Sequence, residues 1–412
     1  MKKERKILIM EKIKWSLNTM PKSDKEKSIG ILEEREVLKA REFHKSFPQY
    51  EETPLINLEN LSRKLGVSGI YVKDESYRFG LNAFKVLGGS YAMAKYLSEK
   101  LERDISTLPY EKLISEEVRK ELGNISFYTA TDGNHGRGVA WTANKLKQKS
   151  VVYMPKGSSQ IRLDNILAEG SEASITDLNY DDAVRLAAKH AKENNGVIIQ
   201  DTAWEGYIDI PIWIMQGYGT MALEARDQLE KFGVDRPTHI FIQAGVGSLA
   251  GAVQGFFAAV YKDNVPITVI VEPDLANCYY KSSMQGDGNP VDVGGDMNTI
   301  MAGLACGEPN IIGFEIIKNY STAFLSCPDY VAAKGMRILA APLKGDRQII
   351  SGESGAVTLG SLFSILKDEY YEDLRKELKI DKNSKILIFN TEGDTDPIKY
   401  KDIVWDGEYT SK

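Results

Sequence analysis

A glycine-rich loop at 244–251 has the composition of a phosphate-binding site. Its sequence is Ala-Gly-Val-Gly-Ser-Leu-Ala-Gly, between an apolar run and a helical pattern. Successive glycines let backbone amides point at an anion, and the amino end of a helix adds partial positive charge. No Lys-Ser/Thr pair follows, and the third glycine falls one residue too late for G-x-G-x-x-G. Glu272 stands about 20 positions further on, where the acidic residue of a dinucleotide site would be. A dinucleotide site therefore stays possible, and so does a tight turn that binds no ligand.

Lys85 is a second candidate for chemistry. It starts an amphipathic helical pattern, lies between Phe84 and Val86, and comes shortly before a pair of glycines. A lysine in such a place is most often an ordinary solvated residue. Apolar neighbours nevertheless destabilise the ammonium form and make the amine nucleophilic. The position therefore fits a lysine that bonds covalently to a carbonyl compound, with a solvated side chain as the alternative.

The loop at 129–138 places Asp132, Asn134 and His135 among three glycines at a strand-to-helix junction. A capped helix start, with Asp132 or Asn134 as the N-cap, would also explain it. An anion cradle, a reactive lysine and an Asp/Asn pair together fit one cofactor that carries both a phosphate and a carbonyl group. That cofactor is pyridoxal 5'-phosphate.

The elements that must position these loops follow an α/β pattern with a parallel sheet. We expect strands at 70–73, 126–130, 150–154, 197–200, 239–243, 267–272 and 385–390. We expect helices at 84–101, 136–146, 159–169, 181–194, 220–232, 248–260 and 354–368, with Asp181 capping the fourth. In such sheets ligands bind beyond the carboxyl ends of the strands, where all three loops fall.

Composition narrows the function classes. The 412 residues suggest about two or three domains, and a net charge of −6 argues against a nucleic-acid partner. No apolar stretch has the roughly 18 residues of a membrane span, and the four apolar residues at 7–10 are too few for a signal peptide. Four histidines and three cysteines are too few to favour a metal site with several such ligands. The odd number of cysteines fits a protein of the reducing cytoplasm. Residues 1–50 are expected to form an extra element on the surface or at a subunit contact.

Eight segments in order along the chain carry a resemblance to a known family. They are Asn-Ala-Phe-Lys-Val-Leu-Gly-Gly at 82–89, Thr-Asp-Gly-Asn-His-Gly at 131–136, Gln-Asp-Thr-Ala-Trp-Glu-Gly-Tyr at 200–207, Ile-Met-Gln-Gly-Tyr at 214–218, the loop at 245–251, Ile-Met-Ala-Gly-Leu-Ala-Cys-Gly at 300–307, Ser-Gly-Glu-Ser-Gly-Ala at 351–356 and Asn-Thr-Glu-Gly-Asp-Thr-Asp-Pro at 390–397. With them the chain resembles the fold type II pyridoxal-phosphate enzymes, which include threonine dehydratases and tryptophan synthase β subunits. Within that group it is most similar to the diaminopropionate ammonia-lyases.

The resemblance implies an α/β, tryptophan synthase β-like fold of two domains, with open, mostly parallel twisted sheets flanked by helices. A large cofactor-binding domain would comprise 1–85 and 206–412, and a smaller mobile domain would comprise 86–205. The active site would lie in the cleft between them, where domain closure excludes water. The resemblance also implies a homodimer.

The resemblance implies roles for individual residues. Lys85 would bond to the cofactor, Asn134 would hydrogen-bond its phenolic oxygen, and Thr391 would face its pyridine nitrogen. The phosphate would be bound by Gly245, Val246, Gly247, Ser248 and Leu249. Asn82 and Thr131 are assigned to the substrate. A neutral hydroxyl at Thr391 would make the ring a milder electron sink, which suits β-elimination.

Asp132 separates this chain from the broader dehydratase group, which has a Ser-x-Gly-Asn-His-like pattern at this loop. A carboxylate there can act as a second base or hold an ammonium group. Asp201 is a second such carboxylate, with a helix cap or a structural partner as its alternative role. We therefore expect elimination of 2,3-diaminopropionate to pyruvate and two ammonia, with Lys85 and Asp132 serving opposite faces of Cα in the L and D isomers. Asp201 would orient the β-amino group.

Three other functions stay open. One is a pyridoxal-phosphate lyase acting on serine, threonine or another β-substituted alanine. The second is an NAD-dependent oxidoreductase that uses the loop at 245–251 for pyrophosphate, and the third is a non-catalytic binding protein. Cys278 and Cys306 either form a reversible disulfide near the site or are buried thiols.

Overall fold

The computed structural model describes residues 11–131 and 133–410. Its strands are β1 Lys14–Leu17, β2 Leu55–Asn57, β3 Gly69–Asp74, β4 Ser126–Ala130, β5 Lys149–Met154, β6 Glu172–Ile175, β7 Val197–Ile198, β8 His239–Gln243, β9 Ile267–Pro273, β10 Ala323–Cys327 and β11 Lys385–Asn390. Its helices are α1 Lys25–Ile29, α2 Glu34–Lys45, α3 Glu59–Leu65, α4 Val86–Lys100, α5 Tyr110–Leu113, α6 Glu116–Leu122, α7 Asn134–Lys145, α8 Gln160–Ala168, α9 Tyr180–Glu193, α10 Asp209–Lys231, α11 Ser248–Tyr261, α12 Cys278–Gln285, α13 Ile311–Tyr320, α14 Asp329–Ala340, α15 Glu353–Lys367, α16 Glu372–Glu377 and α17 Pro397–Val404.

The strands form two sheets. The larger has seven strands in the order β1-β10-β9-β8-β11-β3-β2, and the smaller has four in the order β6-β5-β4-β7. The small sheet is parallel throughout, and in the large sheet only the edge strands β1 and β2 pair antiparallel. This confirms the predicted α/β class with open, mostly parallel sheets. The carboxyl ends of β8 and β11 are adjacent in the large sheet, so the loops after them meet.

The inner strands of the large sheet are mostly apolar, as expected for strands whose two faces are covered by helices. Every residue of β8 and β10 is buried. Helix α10, with 23 residues, packs closely on α4. A Cβ at Gly217 would overlap the carbonyl oxygen of Leu87, so glycine is required where these two helices touch. This packing fixes the start of α4, and with it Lys85.

Strands β4 to β7 of the small sheet all lie between residues 126 and 198. Helix α4 packs against α7 of this unit and also against α10 of the large one. The division into 1–85 with 206–412 and 86–205 therefore stays a prediction. Within residues 11–131 and 133–410, no helix is both long enough and apolar enough to cross a membrane.

All seven expected strands are present, while β1, β2, β6 and β10 were not expected. Strands β1 and β2 are edge strands of four and three residues. Strand β10, Ala-Phe-Leu-Ser-Cys, has no β-branched residue, which removes the usual signal. Helix α10 begins 11 residues before the expected start at 220, because its glycines and Pro211 weaken the helical pattern.

Two further expectations were wrong. The N-cap of α9 is Asn179, whose side chain accepts a hydrogen bond from the amide of Asp182, and Asp181 lies in the first turn. The expectation of a surface element at 1–50 was wrong for the described part of that region, while its alternative, a subunit contact, stays a prediction. Helix α2 buries Val37, and Phe43 belongs to the same central core.

Candidate active site

A cavity of about 620 Å³ opens where the carboxyl ends of strands from both sheets meet. Most of the residues predicted for the site line it, namely Lys85, Thr131, Asn134, Asp201, Gly245, Val246, Gly247, Ser248, Leu249 and Thr391. Asp132 lies outside the described residues. The two sheets thus bring together residues that are separated by up to about three hundred positions in the chain.

Lys85 is fixed to the end of β11 by backbone pairing. The amide of Phe84 donates to the carbonyl of Thr391 at 3.1 Å, and that of Gly393 donates to the carbonyl of Asn82 at 3.0 Å. Between these two bonds, Ala83 and Glu392 form an antiparallel bridge. The lysine therefore enters the cavity from a segment that is held on the large sheet.

The ammonium of Lys85 is paired with the carboxylate of Asp201, which follows β7 of the small sheet and is 4% exposed. Burial alone would raise the pKa of Asp201, but the positive charges of Lys85 and His135 and the hydrogen bond from Lys85 together lower that pKa to about 2. Burial alone would likewise lower the pKa of Lys85, yet the charge and the hydrogen bond of Asp201 raise it above its ordinary value. Tyr218 and Cys306 also act to raise that pKa. Apolar neighbours were expected to lower the pKa of Lys85, and this expectation was wrong, because its pKa is raised. The sequence alone does not show that Asp201 lies beside the lysine.

The loop at 245–249 forms a cradle at the amino end of α11. Gly247 is the N-cap residue with a φ of +94°, and a Cβ there would overlap the hydroxyl of Tyr279. The first amides of a helix have no acceptor within the helix, so they are available to an anion. Ser248 donates its hydroxyl proton to the carbonyl of Asp201, and Asn310 donates to that hydroxyl at 2.7 Å. Ser248 therefore offers its backbone amide to an anion, and its side chain joins the loop to Asp201.

Polar atoms suited to a ring also line the cavity, on Gln243, Ser354 and Thr391. The hydroxyl of Thr391 accepts a hydrogen bond from Gln243 Nε2 at 2.9 Å, which leaves its proton for an acceptor such as a ring nitrogen. The buried atoms Gln243 Oε1 and Ser354 Oγ have no hydrogen-bond partner among the described residues. Buried polar atoms are normally paired, so a polar ligand fits here. Together with the amide cradle and Lys85, this arrangement fits pyridoxal phosphate.

Asn134, the first residue of α7, donates from Nδ2 to Glu392 Oε2 at 2.6 Å. The N-cap of α7 is Gly133, so the alternative of Asn134 as a cap was wrong. In the same loop, Thr131 accepts a hydrogen bond from the amide of Gly133 at 2.9 Å. Asn134 therefore lines the cavity from the start of α7, and its side chain is bonded to Glu392, which follows β11 of the large sheet.

The structure does not bring Asn82 to the cavity. Its side chain donates to Asp394 at 3.1 Å, and it is not among the described residues that line the cavity. Its φ of +61° is a conformation that asparagine tolerates better than most residues. Asn82 thus shapes the turn before Lys85, and its assignment to the substrate stays a prediction.

Four cavity residues have roles that the sequence did not indicate: Tyr218, Gln243, Ser354 and Glu392. Tyr218, Ser354 and Glu392 stand in segments that carry the family resemblance, which was the available signal. Tyr218 is fully buried, and its hydroxyl has no partner among the described residues. That hydroxyl is thus a further polar atom available to a ligand beside Lys85.

Glu272 does not support the dinucleotide alternative. It is fully buried and accepts hydrogen bonds from the amides of Tyr279 and Tyr280, at 2.9 Å and 2.7 Å. Burial raises its pKa to about 8. The carboxyl group of Glu272 therefore holds the start of α12, and it is not exposed to a ribose.

In the part of the chain that the structure describes, no disulfide joins Cys278, Cys306 or Cys327. Cys278 is buried, which raises the pKa of its thiol, while Cys306 lines the cavity. In the same described part of the chain, no group of three or more His, Cys, Asp and Glu side chains is arranged to hold a metal ion.

Comparison with known proteins agrees with this geometry. The model of the pyridoxal-phosphate dependent enzyme family matches residues 47–392. The diaminopropionate ammonia-lyase of Salmonella typhimurium is 55% identical over 366 residues, which are 89% of this chain and 91% of that protein. The crystal structure of holo diaminopropionate ammonia-lyase from Escherichia coli superposes with a TM-score of 0.90 at 47% identity, covering 98% of this chain and 99% of that one. The same enzyme in complex with D-serine gives a TM-score of 0.89 at 47% identity, with 97% and 99% covered.

Proposed function

The chain belongs to the diaminopropionate ammonia-lyases within the pyridoxal-phosphate dependent enzymes, and on this basis we propose how its site eliminates ammonia from 2,3-diaminopropionate. The overall reaction converts the substrate and one water into pyruvate and two ammonia. The observation that carries the proposal is the pair of Lys85 and Asp201 in one cavity with the amide cradle at 245–249.

Residues of both sheets would hold the cofactor. The amides at 245–249 would bind the phosphate, Thr391 would donate to the pyridine nitrogen, and Asn134 would contact the phenolic oxygen. Lys85 would bond to the carbonyl carbon. Bound in this way, pyridoxal phosphate supplies an electron sink for the negative charge that develops at Cα. The protein supplies binding, orientation and proton transfer.

Asp201 would recognise the β-amino group. Paired with the ammonium of Lys85, this carboxylate has a pKa near 2, and the β-ammonium of the substrate would supply the same stabilising charge once Lys85 bonds to the cofactor. In the structure it pairs with one primary ammonium, that of Lys85, and the β-ammonium of diaminopropionate is the same kind of group. We expect the substrate to replace Lys85 as its partner, which leaves the lysine amine to take the Cα proton from one face. Serine, with a hydroxyl at Cβ, lacks this charge.

The assignment of Asp132 as the base for the opposite face is part of the proposal. Lys85 reaches Cα from one side only, so one base of this kind processes one isomer. A carboxylate on the other side would extend the reaction to both L- and D-diaminopropionate. The binding of D-serine by the E. coli relative supports a site that admits a D-amino acid.

Pyruvate release from diaminopropionate and from serine tests this function. We expect the protein loaded with pyridoxal phosphate to turn over diaminopropionate with the higher kcat/KM, because Asp201 has no ammonium to bind in serine. Lys85→Ala should abolish both the visible band of the bound cofactor and the turnover. A higher kcat/KM for serine would instead indicate a serine dehydratase.

We also propose that the protein is a cytoplasmic homodimer. Thiols without a disulfide fit a reducing compartment. Leu275, Met284 and Trp405 are more than half exposed, and exposed apolar side chains of this size are suited to a subunit contact. Light scattering on the purified protein tests the dimer, since a monomer mass at micromolar concentration contradicts it.

A further inference from the structure

Glu392 connects the two sides of the cofactor cleft. Its backbone pairs with Ala83, two residues before Lys85, and its carbonyl accepts the amide of Gly352 at 3.0 Å. Its side chain reaches across to the small sheet, where Oε2 accepts the 2.6 Å bond from Asn134. Glu392 thus contacts two parts of the site. Its backbone pairs with the segment that carries Lys85, and its side chain binds Asn134, the residue assigned to the cofactor ring.

We propose that Glu392 is a positioning residue that holds Asn134 in the orientation needed to contact the cofactor. This inference rests on the proposed function. An asparagine amide has two hydrogens and one oxygen. If one hydrogen is committed to Glu392, the amide plane is set, and the second hydrogen remains for the phenolic oxygen. The same bond joins α7, which packs on the small sheet, to the segment that follows β11 of the large sheet.

The surroundings of Glu392 indicate that it acts as a carboxylate. The residue is 4% exposed, and a Cβ at Gly352 would lie 2.9 Å from its Cγ, so the side chain has little room to move. Its neighbour Glu353 has a pKa raised to about 7, first by burial and then by the negative charge of Glu392. A hydrogen bond from an amide to an ionised carboxylate is shorter and stronger than one to a neutral acceptor. The 2.6 Å separation is of this kind.

Titration of the apoprotein with pyridoxal 5'-phosphate, followed by fluorescence and by visible absorption, tests the proposal. Glu392→Ala should weaken cofactor binding by about tenfold or more and shift the visible band, because Asn134 loses its partner. Glu392→Gln retains an acceptor oxygen without the charge, so it should weaken cofactor binding by about threefold, less than Glu392→Ala. Asp346→Asn, which alters a carboxylate that accepts the amides of Asn60 and Leu61 and does not line the cavity, is the control and should bind the cofactor normally.

A double-mutant cycle separates positioning from general damage to the fold. If Glu392 acts through Asn134, then Asn134→Ala and the double variant with Glu392→Ala should bind the cofactor equally weakly. Additive losses, or normal binding and an unchanged band in Glu392→Ala, would overturn the inference. Failure of the wild-type protein to bind pyridoxal phosphate would instead refute the proposed function. Circular dichroism identifies a variant that has not folded. If Glu392→Ala does not fold, Glu392→Gln decides the question: a loss of about threefold supports the inference, and wild-type affinity with an unchanged band overturns it.

Discussion

The ammonium of Lys85 lies against the carboxylate of Asp201, so each residue sets the ionisation of the other. Lys85 is held on the large sheet through residues 391–393, and Asp201 follows the last strand of the small sheet. The pair therefore spans the cleft in which the cofactor would bind. It keeps a carboxylate ionised at the place where a substrate ammonium would arrive.

Asp201→Asn tests substrate recognition. The amide cannot balance a β-ammonium, so kcat/KM for diaminopropionate should fall by about 100-fold. For serine the fall should be much smaller, because its β-hydroxyl carries no charge. Steady-state pyruvate release from the two substrates measures the difference. Equal losses for both would show that Asp201 acts on Lys85 alone.

Asp132→Asn tests the second base. Turnover of the isomer whose Cα proton faces away from Lys85 should fall by about 100-fold or more, while the other isomer is affected far less. Separate assays with L- and D-diaminopropionate check this outcome. If turnover of both isomers is unchanged, the assignment of Asp132 is wrong.

Gly247→Ala tests the phosphate cradle. The new methyl group would overlap the Tyr279 hydroxyl at a residue whose φ is +94°, so affinity for pyridoxal phosphate should fall by about tenfold or more. Gly233→Ala is the matched control, since Gly233 has a φ of +71° with nothing within 4 Å of an added Cβ. It should cost about 1 kcal/mol of folding stability and leave cofactor binding unchanged. Equal cofactor affinity in the two variants would contradict the cradle.

Glu353 makes folding stability depend on pH. Burial, followed by the charge of Glu392, raises its pKa from 4.5 to about 7, against smaller opposing effects of Lys399 and Arg162. Since the folded state holds this proton more tightly, the stabilisation is complete below pH 4.5 and is lost as the pH rises through 7. Between these values wild-type stability should fall by up to about 3 kcal/mol relative to Glu353→Gln. Urea unfolding of both proteins at several pH values measures this, and parallel curves would contradict it.

The sequence predicted the parts of the site that depend on local patterns. The glycines of the 245–251 loop and the apolar surroundings of Lys85 are visible without a structure, and so are the seven strands that carry most of the loops. The pairs that set the chemistry are not local. Lys85 and Asp201 are 116 positions apart, and Asn134 and Glu392 are 258 apart. No periodicity joins such residues, so the raised pKa of Lys85 and the role of Glu392 needed the fold.

The ratio of ammonia to pyruvate formed from 2,3-diaminopropionate tests the central claim most directly. Elimination followed by hydrolysis must release two ammonia for each pyruvate, and Lys85→Ala must abolish both products. Serine, in the same assay, can yield only one ammonia per pyruvate. We expect a ratio of two with the wild-type protein loaded with pyridoxal phosphate. A ratio of one, or ammonia without pyruvate, would contradict the account.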